Sequence, residues 1–288
     1  SWRIANGFRA PNGVTVNGDG TFFASDQEGH WTPKNRINLI RKDGFYGYMG
    51  SYVPGRDPEK YDPPVVWIAK NVDRSPAQQL WVTSDKWGPL KGSLINLSYG
   101  TGRLFTVPYE MVDGTPQGGV SRIPIDETPT GVMRGRFHPV DGQLYACGLF
   151  GWAGNKSRPG GFYRFRYTGK PARLLTDTQV RHNGIELKFN FQLDPKSAKN
   201  PASYQLKQWN YKWAASYGSK QYSPNSGKVG QDTMKISNVK LAKDGRSVFL
   251  QIPDIKPANQ VKMNMNLQSA DAEAFNELVY LTINKVPK

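Results

Sequence analysis

Twice in this chain an Asp-Gly turn leads from a short extended segment into a short apolar strand, and that pattern limits the fold more than any other feature. Val14-Thr15-Val16 is followed by Asn17-Gly18-Asp19-Gly20 and then Thr21-Phe22-Phe23-Ala24-Ser25. Arg136-Phe137-His138 is followed by Val140-Asp141-Gly142-Gln143 and then Leu144-Tyr145-Ala146. A tight hairpin needs positive φ at its turn, which Gly and Asp supply at low cost, so both segments read as β-hairpins. The two lie roughly 120 residues apart, about three lengths of a ~40-residue propeller blade. Between them Gln79-Leu80-Trp81-Val82-Thr83-Ser84 and Gly92-Ser93-Leu94-Ile95-Asn96-Leu97 read as a further strand pair. Small sheets at this spacing predict about 3–4 blades of a β-propeller over residues 1–172, and so few blades cannot close a ring. The segment therefore reads as the latter half of a propeller, with the remaining blades expected from the same precursor or from another chain.

Past Pro171 the pattern changes to longer alternation. Gly184–Phe191, Ser247–Ile252, Val261–Leu267 and Leu278–Ile283 each place apolar residues on one side and polar ones on the other. Lys243-Asp244-Gly245-Arg246 reads as another hairpin turn, and Asp271–Phe275 as one helical turn. Residues 176–288 are thus expected to form an Ig-like β-sandwich, which makes the whole chain all-β.

The chain carries 38 Lys+Arg against 23 Asp+Glu, a formal charge of +15, which favours anionic partners. The basic residues are dispersed with no Lys/Arg run or zinc-finger spacing, so nucleic acid is not expected as a partner. No apolar run reaches the ~20 residues that span a bilayer. Ser1-Trp2-Arg3 is no signal peptide, which decides nothing, because a mature secreted form would have lost its signal. Cys147 is the single cysteine and excludes an internal disulfide; its setting in Leu144-Tyr145-Ala146-Cys147 predicts a buried strand thiol. His30, His138 and His182 have no metal-ligand spacing, and no CxxCH haem attachment is present.

Several ordered segments resemble the soluble glucose and sorbosone dehydrogenases that use pyrroloquinoline quinone (PQQ). They are Gly7-Phe8-Arg9-Ala10-Pro11-Asn12-Gly13-Val14, Gly18-Asp19-Gly20, Ser25-Asp26-Gln27, Arg36-Ile37-Asn38-Leu39-Ile40 and Gly44-Phe45-Tyr46-Gly47. Thr83-Ser84-Asp85-Lys86-Trp87-Gly88 is similar to that family's loop with a quinone-contacting lysine. Arg134-Gly135-Arg136, ahead of its Asp-Gly hairpin, is similar to the family's paired arginines. The likeness covers residues 5–170 and is nearest to the large multidomain relatives of planctomycete type. It implies a six-bladed propeller, PQQ and calcium as cofactors, a periplasmic or extracellular location, and electron delivery to a cytochrome c. By the resemblance, Arg9, Asn12, Lys86, Arg134 and Arg136 would hold the quinone, and backbone carbonyls of Gly29 and His30 the calcium. Three carboxylates on the quinone suit arginine forks and a lysine point charge. The chain departs from the family at Ala10, where an Asn is usual, at Asn12, where a Gln is usual, and in the calcium turn Gln27-Glu28-Gly29-His30. The family's catalytic histidine belongs to an earlier blade, so the catalytic base is unknown here.

Each candidate also has a plainer role. Arg9 reads equally well as a blade-locking residue and Lys86 as a solvated one. Trp31, Tyr46, Tyr48, Trp87, Phe150 and Trp152 read as core and blade packing, or as faces for a sugar to stack on. Trp209-Asn210-Tyr211-Lys212-Trp213 reads as a sandwich core residue beside a surface pair, or as a carbohydrate platform. Asn96-Leu97-Ser98 and Asn155-Lys156-Ser157 fit the glycosylation pattern. Two functions compete on these residues: a quinone-dependent sugar or polyol dehydrogenase, and a non-catalytic module that binds carbohydrate or a partner protein within a larger assembly.

Overall fold

The computed structural model describes residues 2–150 and 158–288; Trp152 and Asn155-Lys156-Ser157 lie outside the described residues. The chain is all-β, with α1 (Pro195–Lys199) as a single short α-helix among the described residues and several antiparallel sheets. It divides into two compact units that interleave along the sequence. The first comprises residues 1–105, 123–170 and 211–220, and the second residues 106–122, 171–210 and 221–288.

The first unit opens with a four-stranded meander: β1 (Gly13–Val16), β2 (Phe22–Asp26), β3 (Asn35–Ile40) and β4 (Val66–Ile68), hydrogen-bonded in that order. The first Asp-Gly turn closes β1 on β2 with Val14 opposite Ala24, and Gly20 there takes φ +82°. A second sheet follows from β5 (Pro76–Trp81), β6 (Leu94–Ser98) and β7 (Leu104–Thr106), the last strand ending at the boundary between units. After β8 (Tyr109–Val112) and β9 (Thr115–Arg122), both of the second unit, the chain returns for a third sheet. This is β10 (Arg134–Phe137), β11 (Leu144–Leu149) and β12 (Gly160–Phe165), with Gly142 at φ +68° in the expected hairpin. The sheets stack through their first strands, since β5 packs against β1 and β2 on one side and β10 on the other. Close approach is built in: a Cβ on Gly13 would stand 2.2 Å from the Ala77 carbonyl oxygen, so this position of β1 has room only for glycine.

In this third sheet the structure corrects one expectation. Cys147 is exposed, not buried. It lies opposite both Arg134 and Phe162, on a face that no other sheet of the described residues covers. An apolar run shows that a strand is present; which face is covered depends on the neighbouring sheet.

The second unit holds two sheets around one apolar core. The strands of this unit past Pro171 are β13 (Leu175–Arg181), β14 (Gly184–Phe189), β15 (Tyr204–Trp209), β16 (Asp232–Thr233), β17 (Asn238–Leu241), β18 (Ser247–Gln251), β19 (Ala258–Gln268) and β20 (Ala274–Ile283). The orders are β13-β14-β18-β17 and, facing it across the core, β16-β15-β19-β20-β9, with β8 paired to β9. Ile185, Leu187, Val248 and Leu250 from one sheet meet Leu206, Val261, Met263 and Val279 from the other. Trp209 is buried against Tyr280, but both lie on the opposite face of their sheet from this core, so Trp209 is not the sandwich core residue that its sequence setting predicts. Asp271–Phe275 is a strand-to-strand turn rather than a helical one, with Ala272 at φ +64° and β20 already running from Ala274. No helix among the described residues is long and apolar enough to cross a membrane.

Candidate functional site

In the first unit the outer face of the first sheet and the start of β10 share a cleft of about 650 Å³. Its apolar wall is made by Phe8, Val14, Phe22 and Ile40, with Trp2 and Ile4 at the edge. Asn12, Gln78, Arg134 and Arg136 supply its polar groups.

Local sequence explains how those groups reach the cleft. Asp26, at the end of β2, is buried and receives the backbone N–H of Arg9 (2.9 Å), Ala10 (2.7 Å) and Gln27 (2.9 Å). This carboxylate organises the turn that carries Asn12 into the cleft, although burial pushes its pKa up from the ordinary aspartate value. The Gln78 side-chain carbonyl accepts the Gly135 N–H at 3.0 Å, and the Met133 carbonyl accepts the Gln78 N–H at 3.3 Å, which fixes β10 beside β5. Strand alternation then sends Arg134 and Arg136 to the same side, with buried Gly135 between them facing the second sheet.

The two guanidinium groups are only lightly engaged. Arg134 donates to the Asn12 side-chain oxygen at 3.2 Å and to the Met133 carbonyl at 2.9 Å; Arg136 donates to the Gly135 carbonyl at 2.7 Å. Each guanidinium has five N–H donors, so most remain for a guest. Among the described residues neither is paired with a carboxylate. Arg134 and Arg136 therefore present unneutralised charge beside an apolar wall, an arrangement that suits an anion with a flat or apolar body.

The remaining sequence candidates lie elsewhere and do not line the cleft. Arg9 is laid across Gly29, where a Cβ would stand 1.8 Å from its Nε, and sits 5.4 Å from the Tyr217 ring centre. The Gly29 carbonyl already accepts two backbone N–H groups, from Thr32 at 3.2 Å and Gly218 at 3.0 Å. His30 bonds the Ala215 carbonyl through Nδ1 at 2.8 Å and stands edge-on to Tyr217. Lys86 is exposed in the 3₁₀ turn Asp85–Leu90, close to Gly142. His138 lies beside Asp141 on the β10–β11 turn.

Tested against the group that the resemblance implies, these residues fit in one respect only. Arg134, Arg136 and Asn12 suit an acidic guest. Arg9 and Lys86 do not join them, and the Gly29 carbonyl has both lone-pair directions taken. Among the described residues, those lining the cleft include no carboxylate, imidazole or amine to take a proton from a sugar hydroxyl. No cluster of three or more His, Cys, Asp or Glu suited to a metal occurs among the described residues. Gln78, Trp2 and Ile4 carried no sequence signal of a site; Phe22 and Ile40 face each other across β2 and β3, and Gln78 meets the arginines through the packing of β5 and β10.

Compared with known proteins, the sequence matches no family model and no curated protein.

Proposed function

We propose that this chain is a binding module. In this reading the three sheets of the first unit are blades of an incomplete β-propeller, the second unit is an Ig-like sandwich, and the cleft holds a carboxylate-bearing ligand. The observation that carries the reading is the pair Arg134 and Arg136, side by side on one strand face, free of acidic partners and set against an apolar wall. Bidentate arginine contacts would fix the acid, and Phe8, Phe22 and Ile40 would cover the ligand body.

A second reading is favoured by one observation, the order of the segments over residues 5–170. It makes the chain part of a PQQ-dependent dehydrogenase of sugars or polyols that passes electrons to a haem protein, with the base carried on blades outside residues 1–288. One experiment separates the two. The chain is titrated with PQQ, used as a flat tricarboxylate probe, with and without calcium, and then offered a panel of aldoses and an electron-accepting dye. The binding reading predicts uptake of the probe that calcium does not alter, together with no dye reduction. Dye reduction would favour the dehydrogenase, and no uptake would refute the acid-binding cleft.

A further inference from the structure

The two outer faces of the second unit are finished differently. On the outer face of β13 and β14 the charges are matched: Arg181 pairs with Glu186 at 2.5 Å and Lys188 with Asp177 at 3.2 Å. On the other sheet, the alternation that buries Leu206, Met263, Met265 and Val279 sends Gln205, Lys207, Lys262, Asn264, Asn266 and Asn276 outward. Lys207 stands directly opposite Lys262, Gln205 opposite Asn264, and Asn266 opposite Asn276. Among the described residues these six side chains make no hydrogen bond or ion pair, and no Asp or Glu shares their rows. Asp232 and Glu277, the acids of these strands, alternate to the core side and accept the hydroxyls of Ser223 at 2.7 Å and Ser121 at 2.9 Å. Gln205, Lys207, Asn266 and Asn276 are exposed, and Lys262 and Asn264 half-buried, whereas further along the same face Trp209 and Tyr280 are buried.

Folding alone gives no reason for this choice of residues. Like charges directly opposite on neighbouring strands repel, and Asn is a poor strand former. The core requires neither, because these side chains point away from it. What amides and ammonium groups offer is recognition. A side-chain amide presents a donor and an acceptor together, the complement of a hydroxyl group, and an ammonium presents three donors to an anion. Rows repeat about every 6.8 Å along the strands and strands lie about 4.8 Å apart, so the open rows form a flat strip roughly 14 Å long. Such a strip suits an extended chain. A protein partner calls for an apolar centre, and Leu278 is the one exposed large apolar side chain of these rows. A nucleic acid calls for exposed rings to stack on or a longer run of cations, and the rows hold neither.

We propose that this face binds a linear acidic polysaccharide. Lys207 and Lys262 hold a ring carboxylate between them, and the amides of Gln205, Asn264, Asn266 and Asn276 read the hydroxyls of the sugars beyond it. An anion between the two ammonium groups removes their repulsion and replaces it with charge-assisted hydrogen bonds. The formal charge of +15 draws a polyanion to the chain, and these rows supply the pattern that diffuse charge lacks. The site lies wholly on the second unit and does not depend on what the cleft binds.

The test uses the intact chain and calorimetric titration with polygalacturonate at about 0.15 M salt, where attraction between distant exposed charges is screened. Neutral dextran should bind at least about tenfold more weakly, and so should a single-stranded oligonucleotide. Lys207→Gln, Lys262→Gln should weaken polygalacturonate binding at least about tenfold, and Asn264→Ala, Asn276→Ala about fivefold, each with an unchanged far-UV spectrum. Lys207→Gln alone, at an exposed position, should weaken it about threefold and serves if a double variant fails to fold. Lys240→Gln, Lys243→Gln removes the same charge from exposed positions elsewhere and should change binding less than about twofold. The Arg134→Ala, Arg136→Ala chain should bind as wild type does, which separates this site from the cleft. Absence of binding, an equal loss in the Lys240 and Lys243 pair, a loss in the arginine pair, or undiminished binding in the asparagine pair would each overturn the proposal. Dextran or the oligonucleotide bound as tightly as polygalacturonate would overturn it as well.

Discussion

Asp73 is a residue whose charge is costly to the first unit. It is fully buried and accepts hydrogen bonds from the Ser98 hydroxyl (2.5 Å), the Asn96 side-chain amide (3.0 Å) and the Ser75 N–H (3.2 Å). Loss of solvent outweighs those bonds and pushes its pKa up to about 6. The folded protein therefore holds this proton more tightly than the unfolded chain does. That contribution to stability is complete below the unfolded value near 4 and is lost as pH rises through about 6, a change of at most ~3 kcal/mol. Urea denaturation should give a higher midpoint at pH 5 than at pH 7.5, and Asp73→Asn should reduce the difference. Asp26, raised in the same direction by burial, adds to the same slope. An equal slope in wild type and variant would place the pH dependence elsewhere. Residues of this kind are illegible in sequence, since nothing local distinguishes Asp73 from the exposed Asp43 or Asp57; only the arrival of β6 beside it removes the water.

At the scale of elements the turns were the legible part. Asp141-Gly142 and Asp244-Gly245 were recognisable because positive φ is a backbone demand that few residues meet, and both glycines adopt it, at +68° and +69°. Their surroundings differ in a way no turn motif encodes. A Cβ on Gly142 would stand 2.4 Å from the Ser84 Oγ, whereas one on Gly245 would touch nothing nearer than Gln192 at 3.7 Å. Gly245→Ala should cost about 1 kcal/mol from backbone strain alone. Gly142→Ala should cost about 2 kcal/mol or more, because Ser84 must move as well. Equal losses in thermal melts would show that the Ser84 contact relaxes freely. Arg134-Gly135-Arg136 shows the same division: alternation placed both arginines on one side, but which wall they would face followed only from β5 holding β10 through Gln78.

At the scale of the whole molecule, alternation over residues 176–288 was enough to anticipate strands there, yet not to find the earlier strands that pair with them. β9 pairs with β20, Val120 opposite Tyr280, and the Gln117 side-chain oxygen accepts N–H groups from Asn284 and Lys285. Such pairing joins positions about 160 residues apart, and no pattern within a window of a dozen residues carries it. Hydrogen exchange in low urea should show the β9 amides opening together with β20, and Tyr211–Lys220 following the first unit. If β9 instead exchanged with β5 and β6, the division into units would be wrong. For function the account depends on the cleft between sheet one and β10, and calorimetric titration with PQQ reports on it most directly. Wild type should bind with measurable heat; Arg134→Ala and Arg136→Ala should each weaken binding about tenfold, and the double variant should abolish it with the fold retained. Undiminished binding in the double variant would contradict the account.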